Sequence, residues 1–157
     1  MRVLYIDPFS GISGNMFIGA MVDGGMSPEG FIEGLMPLGI AAEDVIFEKR
    51  EKTGILATYF NLKSEESRHW EHKHDHSHDH EHEHDHDHSH HHHRGLNHML
   101  ALIDQSGFDE AVKELAKAIY LPLAKAEAAV HGKDLYEVHF HEVGELDAVV
   151  DVLGAAY

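Results

Sequence analysis

Cysteine is absent from the 157 residues. That absence excludes disulfides, thiolate zinc sites, iron–sulfur clusters and cysteine nucleophiles. Basic side chains are scarce as well: 12 Lys and Arg stand against 28 Asp and Glu, a formal charge of −16 with histidine neutral. So acidic a chain repels phosphate backbones and has no basic stripe to overcome the repulsion, which argues against nucleic acid as a partner. Long apolar runs are missing too. The opening Met1–Ile6 stops at Asp7, and nothing after it has the length of a signal-peptide core or a membrane span. No membrane partner is expected, and the cytoplasm is the expected compartment. What the chain does have is 43% apolar residues, enough for a packed core in one domain or two small ones, and 18 histidines.

Fourteen of those histidines lie between His69 and His93, interleaved with Asp, Glu and Ser, with Trp70 the only apolar side chain. Such a stretch buries too little surface to offset its ordering entropy, so residues 65–94 read as a disordered insert between two folded parts, 1–64 and 95–157. In the first part, Arg2–Ile6 reads as a buried strand and Asp7–Gly14 as a glycine-rich turn. A helix from Gly14 to Val22 should follow. Ser27-Pro28 caps a second helix that turns Phe31, Leu35 and Leu38 inward and closes at Gly39. Val45–Glu51 and Ile55–Lys63 form a hairpin turning at Thr53-Gly54, with Leu56, Thr58, Phe60 and Leu62 on one face.

The second part should be mainly helical. His98–Asp104 is followed by Ser106, which with Asp109 resembles a capping box. A long helix from Phe108 to Val130 carries Ala111, Leu115, Ile119, Leu123, Ala126 and Val130 at core spacing, and Gly132 should end it. Tyr136–Phe140 reads as a strand and Asp147–Ala156 as a helix, with the chain stopping at Tyr157 as if truncated. The expected class is α/β, with α+β as the variant.

Three groups of residues could carry chemistry. In the insert, the imidazoles of His74, His76, His78, His80, His82, His84, His86, His88, His90, His91, His92 and His93 offer interchangeable donor sets for nickel, zinc, cobalt or copper. In the turn, Asp7, Ser10, Gly11, Ser13 and Gly14 precede a helix, an arrangement in which hydroxyls, bare backbone and the helix N-terminus can hold a phosphate. A tight strand-to-helix connection explains the same residues equally well. Near the end, His139 and His141 would share one side of a strand and Asp147 and Asp151 one face of the next helix, with Glu142 between the pairs. These can form a nickel, manganese or zinc site or an acid–base set. A satisfied histidine pair with carboxylates favoured at a helix start is the plainer reading.

Taken together, Leu4-Tyr5-Ile6-Asp7-Pro8-Phe9-Ser10-Gly11-Ile12-Ser13-Gly14-Asn15-Met16, the histidine-rich insert with Arg94-Gly95-Leu96 after it, and Val138-His139-Phe140-His141-Glu142-Val143-Gly144 resemble the N-terminal portion of the LarC-type nickel insertion proteins. The family usually has aspartate where this chain has Asn15. The resemblance implies a lyase-class cyclometallase that places nickel into pyridinium-3,5-bisthiocarboxylic acid mononucleotide, using CTP with manganese or magnesium. It also implies a lactate-racemase-type apoenzyme as acceptor of the finished nickel-pincer nucleotide. Ser10, Gly11, Ser13 and Gly14, with Asp7, would then hold phosphate. His139, His141 and Glu142 would bind or pass the metal, supported by Asp147 and Asp151. The alternative of another class is a non-catalytic nickel or zinc store built on the insert alone.

Overall fold

In the computed structural model, which describes residues 3–63, 95–140 and 144–157, the first regular element is α1, Gly14–Asp23. Ser13 caps it, its Oγ accepting the Met16 amide at 3.2 Å. The expected strand ahead of it does not form: residues 3–8 carry no regular structure, and Val3, Leu4, Tyr5 and Ile6 are exposed. A strand needs a pairing partner, and none of the described strands offers one to this segment. Helix α2, Pro28–Leu35, starts as expected, with the Ser27 hydroxyl accepting the Gly30 amide at 3.1 Å and proline in the first turn. Phe31 and Leu35 point inward, and a short 3₁₀ turn, Met36–Leu38, ends at Gly39.

The hairpin follows, β1 Val45–Lys52 and β2 Ile55–Leu62, antiparallel with Phe47 opposite Phe60 and Lys49 opposite Thr58. Its two-residue turn places both Thr53 (φ +52°) and Gly54 (φ +81°) in the left-handed region. That is the twist a tight hairpin demands, and glycine meets it without strain. These two strands are the whole sheet among the described residues. Helix α1 lies on β2 and is latched to the hairpin by Asp23, whose carboxylate accepts from Lys49 Nζ, from the Thr58 amide at 2.9 Å and from Thr58 Oγ1 at 2.6 Å.

Among the described residues, three more helices follow: α3 Leu96–Gln105, α4 Glu110–His131 and α5 Leu146–Ala156. The expected capping box is replaced by a division of labour. Asp109 caps α4 by accepting the Val112 amide at 3.0 Å, whereas Ser106 is buried and donates to the Ile103 carbonyl at 2.7 Å. Helix α4 runs through Pro122 and ends at Gly132. Its buried row is not the expected one. Val112, Ala116, Tyr120, Ala124 and Ala128 face inward, while Leu115, Ile119 and Val130 are left substantially exposed. Two neighbouring apolar rows are compatible with the same periodicity, and the row rich in alanine lets α3 and α5 approach more closely. The expected strand at Tyr136–Phe140 shrinks to one antiparallel bridge between His139 and Gly95.

A single hydrophobic core runs from Ile18, Phe31 and Phe60 through Met99, Ile103 and Tyr120 to Val149 and Leu153. Phe31 is at the centre of an aromatic group, 6.2 Å from Phe47, 5.8 Å from Phe60, 5.8 Å from Phe108 and 6.1 Å from Tyr157. Gln105 Nε2 donating to the Pro37 carbonyl and the Gly107 amide donating to the Gly34 carbonyl, each at 2.8 Å, fasten the end of α3 to the end of α2. Mixed α and β structure is thus observed. Among the described residues no helix is long and apolar enough to cross a membrane. The histidine-rich stretch 65–94 lies outside the described residues.

Candidate functional site

The glycine-rich turn is held by local bonds. The Gly11 amide donates to the Pro8 carbonyl at 2.9 Å, and Ser13 is committed to capping α1. Asp7, Ser10 and Gly11 are exposed on the approach to the helix. In the first turn of α1, Asn15 Nδ2 donates to Asn61 Oδ1 of β2 at 3.3 Å, so the start of the helix is tied to the hairpin.

Helix α5 meets α1 at this same end. A Cβ built on Gly14 would fall within the Asp151 carboxyl group, so only glycine admits α5 at this distance. Residues from opposite ends of the chain are thereby placed against each other at the α1 N-terminus. Asp147, one turn earlier on α5, is exposed, and its Oδ1 accepts the Ala148 amide at 2.7 Å. Tyr120 of α4 is fully buried, its ring 6.1 Å from Phe140, close enough to feel both aspartates.

The electrostatics follow from this packing. Burial first, and the neighbouring Asp147 charge second, push the Asp151 carboxyl up to about 6. Burial also raises the Tyr120 phenol, reinforced by Asp147 and then Asp151, so its proton is held throughout the physiological range. The group is a buried hydroxyl beside two carboxylates, one of which titrates near neutrality.

Of the residues singled out in the sequence, the structure therefore brings together Gly14 with Asp151, and Asp147 with Asp151. His139 is exposed, and its backbone forms the bridge to Gly95. His141 and Glu142 lie outside the described residues. So do the histidines expected to hold metal in the insert: His74, His76, His78, His80, His82, His84, His86, His88, His90, His91, His92 and His93. Among the described residues no group of three or more His, Asp or Glu side chains converges to hold a metal ion. Tyr120 was not legible as a site residue. Its one signal is a bulky aromatic between Ala116 and Ala124 in the buried row of α4, which reads as ordinary core. His131 ends α4, within 3.3 Å of Glu127, as a helix C-terminal histidine.

Comparison with known proteins gives a consistent result. The family described as nickel insertion protein matches residues 4–157. A pyridinium-3,5-bisthiocarboxylic acid mononucleotide nickel insertion protein of Clostridium acetobutylicum is 42% identical over 99% of this chain and 40% of its own length. Proteins of the same name from Clostridium kluyveri and Lactiplantibacillus plantarum are 40% and 42% identical, with 37% and 36% of their lengths covered. The chain thus spans well under half the length of these relatives. No solved structure matches it.

Proposed function

Because the chain belongs to the family of nickel insertion proteins, we propose that it supplies part of an enzyme that places nickel into pyridinium-3,5-bisthiocarboxylic acid mononucleotide, the molecule in its relatives' names. The observation that carries this reading is the meeting of the glycine-rich turn with the Asp147–Asp151 pair at the start of α1. A nucleotide phosphate at Ser10 and Gly11 would be repelled by two bare carboxylates. Asp147 and Asp151, one turn apart on α5, offer hard oxygen donors of the kind that suit the magnesium or manganese ion a triphosphate carries. Asp147 and Asp151 would hold that ion, which would neutralise phosphate charge. The triphosphate in this reading is CTP.

Nickel is the cargo. His139, with His141 and Glu142 close behind it in sequence, would receive the metal and release it to the substrate's sulfur atoms. Soft donors on the substrate explain how a protein with no cysteine can deliver nickel: imidazole holds it with intermediate softness, and the thiocarboxylates draw it away. Tyr120, buried near both aspartates and holding its proton, adds no charge of its own there. The reaction is of the lyase class, the setting is the cytoplasm, and the downstream acceptor is a racemase apoenzyme of the lactate type.

The test is insertion. The chain, alone and joined to the remaining polypeptide of the Clostridium acetobutylicum relative, is incubated anaerobically with nickel, CTP, a manganese salt and the mononucleotide. Product is read by mass spectrometry. In the form that inserts nickel, Asp151→Asn should lower the rate at least ~10-fold, the scale of losing one charged contact of about 1.4 kcal/mol. An unchanged rate removes Asp151 from the machinery. No nickelated product in any form, with nickel still bound in proportion to the histidines of 69–93, leaves the storage role.

A further inference from the structure

The sequence Val3-Leu4-Tyr5-Ile6 has the composition of a strand buried on both faces, yet these residues are 73%, 60%, 83% and 47% exposed. Among the described residues their backbone groups pair with no neighbouring strand. Between residues 4–12 and the outer side of α1, where Met16, Phe17, Ala20 and Met21 lie, runs a groove of about 460 Å³. Among the described residues, Asp7 is the only charged one lining it. The opposite side of α1 is already covered, by β2 and α5. A strand that turns through glycines into a helix is the first half of a unit that needs a second strand beside the first. Neither β1 nor β2 serves: no residue of either lines this groove, and no backbone hydrogen bond joins them to residues 3–6.

The size of the relatives indicates the occupant. This chain covers 36–40% of their length, so most of the family's polypeptide lies outside the shared stretch. A second copy is the poorer candidate: each copy carries a formal charge of −16, which opposes self-association, and four facing residues would bury little. We infer that a largely apolar β-strand from the part of the family's polypeptide outside the shared stretch pairs with residues 3–6 and fills the groove along α1. Docking there would fix the approach to the glycine-rich turn, and it does not depend on which reaction the turn serves.

Hydrogen exchange tests the inference on the 157-residue chain, alone and joined to the remaining polypeptide of the Clostridium acetobutylicum relative. Amides along one edge of residues 3–6 should exchange at least ~10-fold more slowly in the joined protein, as expected for ladder bonds replacing solvent. Leu4→Pro and Tyr5→Pro remove donors from opposite edges, so one of them should abolish the protection while exchange in α4 and α5 is unchanged. Equal exchange with and without the added polypeptide overturns the inference. Protection that appears in the chain alone and rises with its concentration overturns it in favour of a second copy. Protection confined to the outward row of α4 at Leu115 and Ile119 does the same for a different docking face. A photo-crosslinker replacing Tyr5 gives an independent readout: adducts within a strand of the added polypeptide support the pairing, and adducts to another copy or none at all refute it.

Discussion

The half-buried carboxyl of Asp151 is the group that the fold brings closest to neutral pH. Its pKa of about 6 stands above the ordinary carboxylate value of 3.8 because the folded state holds its proton more tightly. Its contribution to stability is therefore fully present below about pH 4 and is lost as pH rises through about 6. Asp151→Asn should erase that loss: thermal melts from about pH 4 to about pH 7.5 should show the variant gaining on the parent as pH rises, and melting higher above about pH 6. Divalent cation should act on the parent in the same pH range and leave the variant unmoved. Thr53 offers a second change at this scale. Its positive φ strains a β-branched residue, so Thr53→Asn should raise unfolding free energy by ~1 kcal/mol, measured by urea titration.

Elements here are joined at points of close approach. Helix α5 reaches α1 only because Gly14 has no side chain, so Gly14→Ala should destabilise by ~1–3 kcal/mol through overpacking. Combining it with Asp151→Ala should recover much of that loss, and the coupling measured in a double-mutant cycle would establish that the two residues meet in solution. The latch between α1 and the hairpin is electrostatic. Lys49 and Thr58 hold the Asp23 carboxyl down to about 2, so its contribution is present above about pH 4 and is lost as pH falls towards 2. The sign is opposite to that of Asp151, and Asp23→Asn should flatten the acid limb of the same melting profile. On the helical side, Lys117 bridges Asp104 of α3 at 2.6 Å and Glu114 of its own helix at 3.0 Å. Both contacts lie near the surface and add little next to the buried row of α4.

For the molecule as a whole, stability rests on one aromatic centre. Phe31 touches residues from the hairpin, from the α3–α4 connection and from the chain's last residue, and is fully buried. Phe31→Ala should remove about 3–5 kcal/mol and, since the core is continuous, unfold helices and hairpin in one transition by circular dichroism and fluorescence alike. Metal loading should separate from that core. Deleting residues 69–93 should remove most bound nickel while leaving the melting temperature within a few degrees, whereas double replacement of His139 and His141 by alanine should impair transfer to substrate more than total loading.

Much of this was legible from local chemistry. Ser27 as a helix cap, Pro28 at a first turn, Thr53-Gly54 as a tight hairpin and Gly132 as a helix end are decisions made within a few residues, by hydrogen bonds and backbone sterics that the residues carry with them. Family membership too was legible in two motifs, because their order and spacing survive without any knowledge of packing. Other features were decided only when the elements came together. Which apolar row of α4 faces inward depended on how closely its neighbours could approach, and alanine won over leucine. Val3–Ile6 has the residues of a strand, but a strand exists only where another chain segment pairs with it. The role of Gly14 belonged to Asp151, far along the chain, and the neutral-range carboxyl came from burial and a like charge that no local pattern encodes.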